Sequence, residues 1–119
     1  MEKKTTIKIF FTFLFFFLLL TTPYVAEEIK SGRDIFYSVK GPFGSCSTCH
    51  PNGGSAGRWD SEYKEISDDG DKVIPSLKGV GKKKTKEEIE KAIKIVSTKY
   101  KVPVNDEQIK ALVDYVSKL

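Results

Sequence analysis

The chain is poor in the side chains from which most metal and nucleophile sites are built. Its 119 residues contain one histidine, two cysteines and one methionine, and that methionine is Met1. A structural zinc site is excluded, because zinc takes about four protein ligands, usually Cys and His, and the chain runs out of both. A stabilising disulfide is excluded as well: Cys46 and Cys49 are the only pair, and a loop that short barely restrains an unfolded chain. A thioredoxin-like Cys-x-x-Cys would close a strand and open a helix in a βαβ pattern, and the flanks of Cys46 show none. Charge of one sign is also lacking. Residues 27–119 carry 17 basic and 15 acidic side chains, a net of +2, with no basic face bearing aromatic readers, so no nucleic-acid partner is expected. Nor does any internal repeat, low-complexity linker or strand pairing stand out after residue 26.

What is present is Cys46-Ser47-Thr48-Cys49-His50, which gathers both thiols and the only imidazole into about one helical turn. C-x-x-C-H is the attachment signature of c-type haem, in which the two sulfurs join the vinyl groups and the following histidine ligates iron. The motif therefore predicts one covalent haem c held by Cys46 and Cys49, with His50 as axial ligand. Near it, Trp59, Tyr63 and Arg58 bring an indole N–H, a phenol and a guanidinium, the donors a propionate needs.

The N-terminus has the layout of an export signal: Lys3, Lys4 and Lys8, then the apolar run Ile9 to Leu20, then Thr21-Thr22-Pro23. The run is short for a membrane span, which needs about 20 apolar residues. Residues 1–26 are read as a signal peptide cleaved after Ala26 or retained as an anchor, and residues 27–119 as one domain outside the cytoplasm. Such a domain is small, and a porphyrin would supply much of the apolar mass its core lacks.

From Glu27 the pattern is all-α: short helices joined by loops. Ser31 caps a helix carrying Ile35, Phe36 and Val39 that ends at Gly41-Pro42. A polar loop follows the haem motif as far as Asp71, with Trp59 and Tyr63 on one helical turn. Val73-Ile74-Pro75-Ser76-Leu77 reads as an extended loop. Thr85 and Glu88 have capping-box spacing and open a helix whose Ile89, Ala92, Ile93 and Val96 are expected in the core, with Glu87 and Lys91 paired on its surface. Asn105 caps a last helix, Asp106 to Lys118, with Ile109, Leu112, Val113 and Val116 as its apolar stripe.

In this order of features, residues 28–118 resemble the class I c-type cytochromes, the small bacterial monohaem kind. Gly32 and Phe36 on the first helix and Leu112 and Tyr115 on the last stand where that family crosses its terminal helices. Pro75-Ser76-Leu77-Lys78-Gly79 is similar to the family's Pro-x-Leu-x-Gly segment, which implies that the Pro75 carbonyl accepts the proton on the other nitrogen of His50 and makes it a better iron donor. One departure stands out. Where the family carries Met-Pro, with methionine as the second axial ligand, this chain has Val102-Pro103. Lys99, Tyr100 and Lys101 are the nearest groups able to ligate once deprotonated, and water is the remaining candidate; a gap-free alignment puts Lys99 at the methionine position.

The resemblance implies a periplasmic or extracytoplasmic electron-transfer protein, not an enzyme, meeting redox partner proteins outside the cytoplasm. It would touch a membrane only through an uncleaved N-terminal segment. Lys82-Lys83-Lys84 would steer an acidic partner if the haem edge lies beside it. The alternative expectation is a haem c protein whose open or labile sixth site binds nitric oxide, carbon monoxide or peroxide.

Overall fold

In a computed structural model, residues 31–119 are described; the export-signal reading and its cleavage after Ala26 lie outside them. Helix α1 (Gly32–Ser38) starts where the Ser31 hydroxyl accepts the Asp34 N–H at 3.2 Å, and it buries Ile35 and Phe36. One-turn α2 (Cys46–Cys49) carries the thiols, and a 3-10 turn (Pro51–Gly53) follows. Further on come the one-turn α3 (Val80–Lys83), then α4 (Lys86–Lys99) and α5 (Asp106–Ser117). Thr85 and Glu88 form the capping box at the start of α4, and Asn105 with Gln108 forms one at α5. No helix among the described residues is long and apolar enough to cross a membrane.

The core lies where α1 crosses α5, with α4 alongside. Ile35, Phe36, Ile89, Ile109, Leu112, Val113 and Val116 form one buried cluster. Gly32 makes the crossing close. A Cβ there would collide with the Ala111 carbonyl oxygen and come within 2.7 Å of the Tyr115 Cβ, so only glycine lets the two backbones approach this far. The Phe36 and Tyr115 rings then meet edge to face at 5.3 Å.

The chain is not all-α. Between the motif and α3 it forms a three-stranded antiparallel sheet of β1 (Arg58–Asp60), β2 (Glu65–Ile66) and β3 (Lys72–Val73) in the order β2-β1-β3, so the described residues are a mixture of five α-helices and a sheet. The backbone groups of this long segment need partners, and pairing supplies them: Trp59 stands opposite Ile66 on one side and Lys72 on the other. Trp59 is thus on a strand and not on a helical turn with Tyr63. Asp60 Oδ1 accepts the N–H groups of Glu62 and Tyr63 at 2.9 and 3.0 Å, which turns the chain and leaves Tyr63 72% exposed. Strand β3 stops before Pro75, which has no N–H to extend it.

A second correction concerns α4. Ile89 is buried and Ile93 partly so, but Ala92 is exposed and Val96 is 48% exposed, as is the neighbouring Ile95 at 58%. Only one narrow stripe of the helix reaches α5; the adjoining apolar stripe faces outward. The surface ion pair on this helix is Glu90 with Lys94 at 3.5 Å, in place of the expected Glu87 with Lys91.

Candidate functional site

The motif is shaped by what precedes it. Gly44 takes φ +106 against Thr48, where a Cβ would lie 2.9 Å from the threonine Cβ, and the Ser45 N–H donates to Thr48 Oγ1 at 3.0 Å. That anchors the single turn of α2 and puts Cys46 and Cys49, three apart, on one face. His50 ends the turn with its N–H on the Cys46 carbonyl at 3.0 Å, and Pro51 prevents the helix from continuing.

Beyond the motif the chain doubles back beneath the imidazole. Ala56 N–H donates to Cys49 O at 2.9 Å, Leu77 N–H to Gly53 O at 2.8 Å and Ile74 N–H to Gly57 O at 2.9 Å, while the Ser55 hydroxyl donates to the Ile74 carbonyl. These bonds stitch residues 53–57 to residues 74–77 and bring two backbone carbonyls to the histidine. His50 Nδ1 lies 3.0 Å from the Gly54 oxygen, and the Pro75 backbone is near enough to raise the ring's pKa. The carbonyl 3.0 Å from Nδ1 belongs to Gly54, which was not legible as a partner, where the resemblance implied Pro75.

The electrostatics follow from burial. Desolvation pushes the His50 pKa down, partly offset by the Gly54 and Pro75 carbonyls, so the ring is neutral at pH 7. With a carbonyl on Nδ1, that nitrogen carries the proton and Nε2 keeps the lone pair, as a metal-binding imidazole requires. Burial also raises the pKa of Cys46, with the neighbouring Cys49 adding to it, and burial raises that of Cys49. Both are protonated free thiols, unlike the acidic thiolate of a disulfide exchanger. Among the described residues no group of three or more His, Cys, Asp or Glu side chains converges on a metal. Paired neutral thiols beside one imidazole with its outer nitrogen free suit a group that is attached through two thioethers and carries a metal for one histidine. The residues fit haem c.

Trp59, a candidate for the cofactor's rim, is 7% exposed and sits in an aromatic cluster, edge to face with Phe43 at 5.7 Å and with Tyr100 at 5.3 Å. Arg58 Nε is committed to the Gly70 carbonyl at 2.6 Å, and Tyr63 is out in the turn. Of the candidate sixth ligands, Tyr100 belongs to the aromatic cluster, and Lys99 Nζ lies 5.5 Å over the Tyr100 ring. Lys101 is exposed in a left-handed turn at φ 56. Val102 lines an open pocket of about 360 Å³ between the facing ends of α4 and α5, with Ser97, Pro103 and Ile109; no motif residue lines it.

Comparison with known protein families, curated proteins and solved structures finds no match. The site's chemistry therefore rests on its own residues. Sequence reasoning missed Phe43, Tyr100 as the partner of Trp59, and Lys72, which the sheet register places opposite Trp59. None of these is signalled by local spacing.

Proposed function

We propose that this protein is a small monohaem c-type cytochrome that transfers single electrons outside the cytoplasm. The observation that carries the reading is the geometry of the motif: two thiols on one face of a single turn, followed at once by an imidazole whose Nδ1 lies 3.0 Å from the Gly54 carbonyl oxygen, leaving Nε2 as the donor. When bound, the haem supplies an iron that cycles between ferrous and ferric. The chain's own residues do the rest. Cys46 and Cys49 would hold the haem as thioethers, each S–H adding across a vinyl group with no net oxidation. His50 would supply Nε2 as the iron donor, and the Gly54 carbonyl on Nδ1 fixes the ring and its tautomer. The electron carrier meets redox protein partners; no substrate chemistry is proposed, because a single proximal histidine leaves no second imidazole for acid-base work.

A second reading, an open or labile sixth site that binds nitric oxide, carbon monoxide or peroxide, is favoured by one feature: residues 99–104 contain no thioether. Replacing Cys46 and Cys49 together by Ala, in a host that matures c-type cytochromes, is expected to abolish haem staining on a denaturing gel. Staining that survives overturns both readings. Carbon monoxide added to the reduced wild type then separates them. An unchanged Soret band is expected of the closed carrier, and prompt complex formation assigns the labile site.

A further inference from the structure

The carbonyl that meets His50 Nδ1 belongs to a turn with little of its own to hold it. Asn52 and Gly53 take positive φ, at 53 and 76, and Gly54 follows with no side chain. Two backbone bonds close the turn, Gly53 N–H to His50 O at 3.0 Å and Gly54 N–H to Pro51 O at 2.9 Å, and at the surface the Tyr37 hydroxyl reaches Asn52 Oδ1 at 3.4 Å. A turn with two glycines regains much backbone freedom when it opens, so these bonds alone hold the Gly54 oxygen weakly.

Gly53 is nonetheless buried, and what covers it comes from beyond α5. A Cβ on Gly53 would lie 2.9 and 3.1 Å from the two methyl carbons of Leu119, which therefore cap the bare face of the turn. Leu119 is itself partly buried against the helix core and is fixed by its N–H on Val116 O at 3.2 Å. Its backbone oxygen accepts the Gly79 N–H at 2.8 Å, while Gly53 O accepts the Leu77 N–H at 2.8 Å. One residue thus touches both strands of chain that meet behind the imidazole, pressing on residue 53 with its side chain and holding residue 79 with its backbone. Gly81 keeps the junction tight, because a Cβ there would collide with the Ser117 backbone oxygen; α3 and the end of α5 meet backbone to backbone.

We infer that Leu119 is a positioning residue for His50: it keeps the Gly53–Gly54 turn closed and so holds the Gly54 carbonyl on Nδ1. This rests on the reading of His50 as the iron ligand of a covalent haem and adds to it the residue that sets how strongly that ligand donates. A carbonyl held on the Nδ1 proton makes the imidazole a better donor, and a better donor favours ferric over ferrous iron. Removing the leucine side chain frees the turn, weakens the bond and opens the Nδ1 proton to water, with the haem still attached through Cys46 and Cys49.

The test compares the purified wild type with Leu119→Ala, Leu119→Met and Ile89→Val, the last a change of similar cost in the buried core. Haem content is read first, as the pyridine haemochrome of denatured protein. The solvent exchange rate of the His50 Nδ1 proton is then followed by NMR in the reduced protein, together with the reduction potential. Leu119→Ala is expected to keep its haem, to exchange that proton about tenfold faster or more, as for the loss of part of a buried leucine contact, and to shift the potential upward. Leu119→Met, which keeps an apolar side chain of similar volume, and Ile89→Val stay near the wild type in both readouts. Wild-type protein without haem means that the cytochrome reading has failed; the same proton is then followed in the full chain as purified, where faster exchange in Leu119→Ala than in Ile89→Val still supports the brace and equal exchange overturns it. Haem-loaded Leu119→Ala with wild-type exchange and potential overturns the brace alone. So does equal acceleration in Ile89→Val, which would make the effect one of global stability. Should Leu119→Ala not accumulate, Leu119→Val, one methylene shorter, is read in the same way, with a smaller shift of the same sign expected.

Discussion

The end of the molecule where α1 crosses α5 and the end built from the sheet and the outer face of α4 are made from similar residues and packed in opposite ways. At the crossing, Ile35, Phe36 and Leu112 are 0%, 1% and 1% exposed, and glycine at position 32 is needed for the backbones to meet. On the other side, Val73, Ile95 and Val96 are 66%, 58% and 48% exposed, and Ile66 is 37% exposed. Apolar side chains left in water forgo a stabilisation of about 25 cal/mol per Å² that burial would give them. One half has completed its own core. The other leaves apolar side chains in water: Ile95 and Val96 on α4 and, on opposite faces of the small sheet, Ile66 and Val73.

The strongest way to break that comparison is to hollow each half in turn. Phe36→Ala removes a ring that contacts Tyr37 and Tyr115 at 5.5 and 5.3 Å, and it is expected to cost about 3–5 kcal/mol in urea unfolding. Val96→Ala in haem-free protein is expected to stay within about 0.5 kcal/mol, as for a surface site. Equal costs would mean that the two halves are not packed differently. The same Val96→Ala variant in haem-loaded protein sharpens the picture: a cost of about 2 kcal/mol or more would place the haem against that face of α4.

Next in size is the crossing itself. Gly32→Val drives a side chain into the Ala111 carbonyl and the Tyr115 Cβ and is expected to lose about 1–3 kcal/mol by overpacking, whereas Lys110→Val, on the exposed side of α5, changes little. Matching melting temperatures for the two variants would remove the close approach from the account. A smaller effect is expected at the start of α4, where Thr85→Ala leaves the Glu88 N–H without its 3.2 Å acceptor and costs about 1 kcal/mol in the same unfolding measurement.

The smallest concerns an exposed cluster on α5. Hydrogen bonds first from Lys118 and then from Lys86 hold the Asp114 carboxyl below its ordinary pKa. A carboxyl with a lowered folded-state pKa adds stability above its unfolded value, and that stability is lost as pH falls through the folded one. Asp114→Asn should therefore flatten the stability profile on the acid side, below the ordinary carboxylate value, and the variant and wild type should converge at the lowest pH. A gap that persists there would assign the effect to something other than charge.

Much of the helical framework was legible because each signal is local. Ser31, Thr85 and Asn105 announce their helices by spacing alone, and the Cys-x-x-Cys-His run carries its chemistry in five consecutive residues. The sheet was hidden for a physical reason: strands of two and three residues show no alternation, and their pairing joins Trp59 to Lys72 across a turn-rich segment with no period of its own. The α4 stripe misled because periodicity reports which side chains share a face, not how much of that face finds a partner. Trp59 was singled out for its N–H, but its neighbours Phe43 and Tyr100 come from opposite ends of the domain, and only the folded chain brings them together.

The bond from His50 Nδ1 to the Gly54 carbonyl closes a ring of only a few residues. Short loops form in roughly tens of nanoseconds, whereas the pairing of Ser55 and Gly57 with Ile74 must wait for a much longer stretch of chain to come round. The contact that sets the imidazole's tautomer therefore needs far less of the chain to be ordered than the contacts that dock the segment carrying Pro75. The geometry that orients His50 is thus local to residues 50–54 and separate from the helix crossing that holds the rest of the domain.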